Sequence, residues 1–256
     1  MQFSLKGRVA VVTGAYSGLG LHFSQVLAAS GSKVAMLGRR VDLGAQLARA
    51  INESLGRPDA ASAIGVDVKS PAAVASALQQ IGATLGVPDV LVNNAGIALR
   101  STSLELPETD WKEMMDVNLN GVWRMAQATA RAMVGAGKEG SIINIASILG
   151  LRVRAEALAY ATSKAAVVQM TKALALEWAE YGIRVNALAP GYFITDLNRA
   201  MLASPAGQAI ISRVPQRRTG ELSELDGPLL LLASDASTYM TGAVIPVDGG
   251  HLVSTL

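Results

Sequence analysis

Tyr160 and Lys164 stand four residues apart in a segment with helical spacing, so both heads lie on one face and can converge on one ligand. Ser147 directly follows an apolar run, Ile142–Ile145, that reads as a buried strand. Asn118 falls inside a long helical segment, 108–134. Each has a bland alternative: a Ser at a strand end often makes a turn or cap, and a mid-helix Asn is commonly just solvated. A phenol, an ammonium, a hydroxyl and an amide are together suited to moving a proton at an oxygen.

A second group could hold a phosphate. Thr13-Gly14-Ala15-Tyr16-Ser17-Gly18-Leu19-Gly20 follows the first apolar run and opens a helical segment. Glycine permits positive φ and close backbone approach, and a helix N-terminus offers unpaired N–H groups to a pyrophosphate. The alternative is a tight structural turn without ligand. At the end of the second apolar run, where an acidic residue would hold a ribose 2′-hydroxyl, the sequence reads Leu37-Gly38-Arg39-Arg40. Two guanidiniums suit a 2′-phosphate, which favours NADP(H), with NAD(H) still possible.

These residues need a scaffold that gathers them. Apolar runs recur at Val9–Val12, Val34–Leu37, Ser62–Val66, Val90–Val92, Ile142–Ile145, Arg184–Leu188 and Ala243–Val247. Helical segments at 18–30, 42–55, 71–85, 108–134, 158–181 and 222–234 alternate with them. Runs apolar on both faces are what parallel strands require, so the pattern predicts an α/β fold: a single-domain, Rossmann-type, doubly wound parallel sheet of about seven strands, helices on both faces. Right-handed crossovers then put every strand's carboxyl end, and any reactive group, on one edge. We read residues 1–256 as one domain, with the irregular stretch 191–220 as a substrate lid.

Composition narrows the class. The chain has 256 residues, no Cys, 50% hydrophobic and 16% charged residues, and a net charge of +2. Without cysteine, thiol chemistry and Cys-ligated metal are excluded, and two histidines, His22 and His251, make no metal cluster. Charge pairs such as Arg217-Arg218 are too short for a nucleic-acid arm. Mean hydropathy is +0.33, yet the longest aliphatic run, Leu229 to Ala233, is far below the roughly 20 residues of a membrane span. With no secretion signal evident, a cytoplasmic protein without membrane or nucleic-acid partners is expected. Segments 108–134 and 158–181 are apolar most of the way round, which predicts a homotetramer with these helices at an interface.

Taken in order, the Thr13–Gly20 turn, Asp67, Asn93-Asn94-Ala95-Gly96, Asn118, Ser147, Tyr160 with Lys164, and Pro190-Gly191 with Thr195 resemble the short-chain dehydrogenase/reductase family over nearly the whole chain. Gluconate 5-dehydrogenase-like and 3-oxoacyl-carrier-protein reductase-like members are resembled about equally. The resemblance implies hydride transfer between a nicotinamide and a secondary alcohol or ketone by a Ser147-Tyr160-Lys164-Asn118 tetrad. Tyr160 would be general acid/base, its pKa lowered from near 10 by the ammonium. Ser147 would hold the substrate oxygen, Lys164 the nicotinamide ribose, and Asn118 a water in a proton path.

By the same resemblance Gly14, Tyr16, Ser17, Gly18, Leu19 and Gly20 would hold the pyrophosphate side. Arg39 and Arg40 would meet the 2′-phosphate, Asp67 and Val68 the adenine, and Asn93, Ala95 and Gly96 the ribose. Pro190, Gly191 and Thr195 would lie at the carboxamide. Asn94 could equally be a bridge between strands, and Asp248-Gly249-Gly250 a turn. Ile97, Ile148, Leu149, Tyr192 and Phe193 are the candidate substrate lining, with Leu99 and Leu151 beside them. Arg100, Arg152 and Arg154 lie near the same loops, either as surface residues or as receivers of a carboxylate or phosphate. A sugar-acid or polyol dehydrogenase using NAD(H), and a catalytically silent NADP(H)-binding regulator, are the alternatives.

Overall fold

The computed structural model describes residues 3–195 and 199–254. Seven strands, β1 (Val9–Thr13), β2 (Lys33–Gly38), β3 (Ala61–Gly65), β4 (Val90–Asn93), β5 (Gly140–Ile145), β6 (Ile183–Pro190) and β7 (Val244–Val247), form one sheet in the order β3-β2-β1-β4-β5-β6-β7. Every pairing is parallel. Strand order reverses between β1 and β4, which places the ligand crevice beyond their carboxyl ends.

Nine helices cover the sheet among the described residues: α1 (Gly18–Ala29), α2 (Val41–Leu55), α3 (Pro71–Thr84), α4 (Glu108–Met115), α5 (Gly121–Gly135), α6 (Leu158–Trp178), α7 (Arg199–Ala203), α8 (Pro205–Ile211) and α9 (Asp226–Ala233). Successive strand residues point to opposite faces, and both faces are apolar here. Ala10, Val12, Met36 and Ile143 pack with Phe23, Leu27 and Leu229 on one side. Val11, Leu37, Leu91 and Ile142 pack with Val74, Ile81, Met125 and Leu174 on the other.

Three details depart from the sequence pattern. Segment 108–134 is not a uniform helix: between α4 and α5 lies one wide π turn, Asp116–Asn120. The stretch 191–220 holds two short helices. α8 starts at Pro205 behind Ser204, whose hydroxyl accepts from the Gly207 N–H at 3.2 Å. A bridge between Phe193 and Gly220 closes the base of the stretch. The two apolar helices leave Trp123 and Val134 of α5 and Leu158 and Leu176 of α6 exposed. Among the described residues no helix is long and apolar enough to cross a membrane.

Tyr16, expected beside the cofactor, has its side chain in the core. Its hydroxyl lies 3.1 Å from the Met36 carbonyl and 2.9 Å from that of Ile64. The ring fills the space over two glycines, because a Cβ on Gly38 would come within 2.5 Å of it and one on Gly44 within 2.3 Å. In a helix Ala is normally better than Gly by about 1 kcal/mol. Here the clash wins, so Gly44→Ala should destabilise the fold by about 1–3 kcal/mol in urea titrations. In a Tyr16→Ser background the same change should turn neutral or stabilising.

Candidate active site

The site is built at the carboxyl end of β5. Lys164, on α6, is 4% exposed, and its Nζ donates to the main-chain carbonyl of Ile145, the last residue of β5, at 2.7 Å. Two residues on, Ser147 starts a single 3₁₀ turn, Ile148–Gly150, and its hydroxyl accepts from the Leu149 N–H at 3.1 Å. That turn lies directly on α6. A Cβ on Gly150 would meet the Lys164 carbonyl at 2.7 Å, so only glycine lets Ser147 sit over this helix. Tyr160, one turn before Lys164, has its phenol close enough to the Ser147 hydroxyl for that group to act on it. The Lys164 Nζ lies 5.8 Å from the centre of the Tyr160 ring.

Asn118 enters from the π turn. Its Oδ1 accepts from the Ile97 N–H at 2.8 Å and its Nδ2 donates to the Ile97 carbonyl at 2.9 Å, fixing the loop after β4. The same Nδ2 reaches the Ser163 hydroxyl at 3.2 Å, which donates to the Tyr160 carbonyl at 2.8 Å. Ser163 thus links Asn118 to the helix bearing Tyr160. It was not foreseen; the only available signal was a Ser between Tyr160 and Lys164, and such a hydroxyl usually just bonds back to its own helix. Asn118 and Lys164 both face Gly96, where a Cβ would lie 3.3 Å from the Asn118 Oδ1 and 3.7 Å from the Lys164 Nζ.

Burial governs the electrostatics. It pulls the Lys164 ammonium down from 10.5 to about 8. It also pushes the Tyr160 phenol above its usual value, against the lowering effects of the nearby Ser147 hydroxyl and the Arg154 charge, while Tyr192 raises it further. Lys164 is not among the groups that lower Tyr160, contrary to the expected depression by the ammonium. Its head is turned to the Ile145 carbonyl rather than to the phenol oxygen.

The glycine turn lies at the same edge. Gly14 (φ 62°) and Gly18 (φ 51°) adopt the left-handed conformation that favours glycine. A Cβ on Gly20 would lie 2.2 Å from the Gly14 carbonyl. Ser17 caps α1 without using its hydroxyl, and no acidic side chain stands in that first turn. The turn can therefore receive an anion without competition. A Cβ on Gly18 would touch the Thr195 Cγ2 at 3.5 Å, so the start of the 191–220 stretch passes over the turn. At the end of β2, Arg39 and Arg40 are exposed, and neither has a carboxylate partner among the described residues.

Other expected residues divide between edge and interior. Asp67 stays at the edge and accepts from the Lys69 N–H at 3.0 Å, while Val68 is buried against Gly121. Asn93 turns its side chain inward to the Asn144 Oδ1 (3.0 Å) and the Val122 carbonyl (3.3 Å), leaving only its main chain toward the edge. Asn94 bridges β4 to β1 through the carbonyls of Thr13 (3.0 Å) and Gly14 (3.2 Å). Ala95 donates its N–H to the Thr13 hydroxyl at 2.9 Å. Pro190 and Gly191 end β6 beside Asp248, whose carboxylate accepts from the N–H groups of Gly250 and Leu252 and so shapes a turn. Leu19, Ile97, Leu149 and Tyr192 are half-buried at the edge. Ile148 (2% exposed) and Phe193 (4%) are instead drawn into the interior, Phe193 lying over Gly220, so they offer a substrate little surface.

A family model described as enoyl-(acyl carrier protein) reductase matches residues 14–251. Galactitol 2-dehydrogenase of Cereibacter sphaeroides is 41% identical, with 98% of this chain and 97% of that protein aligned. The chain belongs to the short-chain dehydrogenase/reductase family. Gluconate 5-dehydrogenase of Gluconobacter oxydans is 37% identical over 98% of this chain and 97% of that protein. A solved structure of a gluconate 5-dehydrogenase from Burkholderia cenocepacia, in complex with NADP and tartrate, superposes with a TM-score of 0.94 at 39% identity, covering 99% of this chain and 98% of that one. The protein is therefore an oxidoreductase of a nicotinamide-dependent family whose members include sugar-acid and polyol dehydrogenases.

The burial of Lys164 predicts a pH signature. Between about pH 8 and 10.5 the unfolded chain holds a proton on this lysine that the folded one has released, so stability rises with pH across that window. Below pH 8 both states carry the proton and the full penalty of burying it remains. In Lys164→Met the rise between pH 8 and 9.5 should flatten, by up to about 1.4 kcal/mol per pH unit, in denaturant titrations beside the wild type.

Proposed function

We propose that the protein transfers a hydride between NADP(H) and a secondary alcohol or ketone of a polyhydroxylated substrate, with Tyr160 giving or taking the proton at the substrate oxygen. The observation that carries this reading is the convergence of Ser147, Tyr160 and Lys164 at the end of β5, opposite Asn118 and Gly96. Bound NADP(H) supplies the hydride, so the chain needs no nucleophile of its own.

In reduction the Tyr160 hydroxyl hands its proton to the oxygen, and burial, by keeping the phenol protonated, suits that direction. Ser147 donates to the same oxygen and fixes it. Lys164 holds positive charge behind the phenol and is placed to reach ribose hydroxyls. Asn118 holds the Ile97 segment in place, and its family role in a proton path is part of this proposal. The glycine turn with Ser17, Asp67 and the Ala95-Gly96 segment would hold the dinucleotide. Arg39 and Arg40, without a carboxylate partner among the described residues, would take its 2′-phosphate.

The stretch 191–220 would act as a lid, since Thr195 lies over the glycine turn while the Phe193–Gly220 bridge anchors its base. The exposed apolar residues of α5 and α6 support assembly of four copies through these helices. Light scattering should give about four times the 26.5 kDa chain mass; a single chain mass overturns that assembly.

A panel of polyols, sugar acids and their ketones, run with both cofactors, tests the reaction. Tyr160→Phe should lower kcat at least about 1000-fold while leaving NADPH binding intact. Arg39→Ala should weaken NADPH binding about 10- to 100-fold and NADH binding less than about threefold. Equal losses for the two cofactors would remove the 2′-phosphate assignment.

A further inference from the structure

The relatives named above act on both neutral polyols and sugar acids, so they leave open whether the substrate of this chain carries a charge. Three arginines lie on the loops next to the site in sequence, and they are not equivalent. Arg100 pairs with the Glu156 carboxylate at 2.6 Å and is exposed. Arg152 donates to the His251 carbonyl and to the Ser254 hydroxyl, pinning the C-terminal turn. Arg154 has no carboxylate partner among the described residues. Among the described residues its one hydrogen bond runs from Nη1 to the Tyr192 hydroxyl at 3.2 Å, and its buried Nε has no partner.

Arg154 is also close enough to Tyr160 for its charge to act on the phenol. Its neighbour Tyr192 packs at a tilt against His251, with ring centres 5.6 Å apart and planes 39° from parallel, which helps to hold the residue that meets Arg154. A guanidinium carrying an unpaired buried N–H beside a proton-transferring group is an incomplete arrangement: the desolvation is unfavourable and no counter-charge offsets it. A planar two-pronged donor is matched by a carboxylate. Arg100 is neutralised by Glu156 and Arg152 is tied to the C-terminal turn, so of the three Arg154 is the one whose buried N–H a substrate carboxylate would complete.

We propose that Arg154 selects an anionic substrate, a polyhydroxy acid whose carboxylate docks on its guanidinium while a secondary alcohol of the same molecule lies at Tyr160. This rests on the hydride-transfer reading above and adds the class of substrate to it. Tyr192, whose hydroxyl accepts from the Arg154 Nη1, positions the guanidinium.

The test compares a panel of aldonates with the alditols of the same carbon skeletons and with the terminal phosphates of those alditols. Wild-type enzyme should prefer an aldonate. Arg154→Met should lower kcat/KM for it about 10- to 100-fold, mainly through KM, and Arg154→Lys should recover part of the loss. Turnover of the neutral alditol should fall clearly less than that of the aldonate, since it loses only the effect of the Arg154 charge on Tyr160, and unchanged NADPH binding reports an intact fold. Preference for the phosphate ester, an equal fall for acid and alditol, or no fall at all would overturn the proposal.

Calorimetric binding of the preferred aldonate to the NADP⁺ complex of Tyr160→Phe separates the two readings. If that binding weakens when Arg154→Met is added, the carboxylate assignment stands whatever Tyr160 does. If it does not weaken, the assignment falls alone. Undiminished turnover in Tyr160→Phe would instead strike the proton-transfer role.

Discussion

An ammonium held out of water against a single carbonyl organises this molecule. Lys164 meets the end of β5, and the main chain around it is arranged to permit that contact. Gly150 lets the Ser147 turn lie on the lysine's own carbonyl, and Gly96 leaves room before its head. Ser163 and Asn118 tie the same helix to the loop after β4. Burying a charge in this way is unfavourable for folding, and the apolar packing on both faces of the sheet offsets it.

Much of this was legible in the residues. The two-faced apolar runs gave the parallel sheet because such strands cannot be exposed on either side, and their order along the chain matches the observed elements closely. The spacing of Tyr160 and Lys164 gave their shared face. Direction within the edge was not legible. Tyr16 and Asn93 stand at the right positions, yet their side chains turn into the interior, because carbonyls of β2 and β3 and the amide of Asn144 are nearer partners than solvent. Sequence spacing places a Cα; the partner nearest in space decides where the side chain goes.

The arginines show the same limit. Arg100, Arg152 and Arg154 look alike in sequence and differ only through what lies across from them: a glutamate, a carbonyl of the C-terminal turn, and a tyrosine hydroxyl. The place of Arg39 and Arg40, by contrast, could be read directly, since they follow β2 at the edge where the strands end. Groups placed by the topology were visible in advance, and groups placed by loops became distinguishable only with their neighbours.

The π turn at Asp116–Asn120 has a consequence for how this chain tolerates change in length. A π turn carries one residue more than the regular helix around it, and each residue advances the helix by about 100°. Removing one residue within Asp116–Asn120 would let α4 and α5 join as one regular helix and withdraw the bulge that carries Asn118 to Ile97. The helix would remain, better formed than before and with its buried stripe still in step, but without its hold on the loop after β4. Along this segment the enzyme depends on the count of residues as much as on their kind.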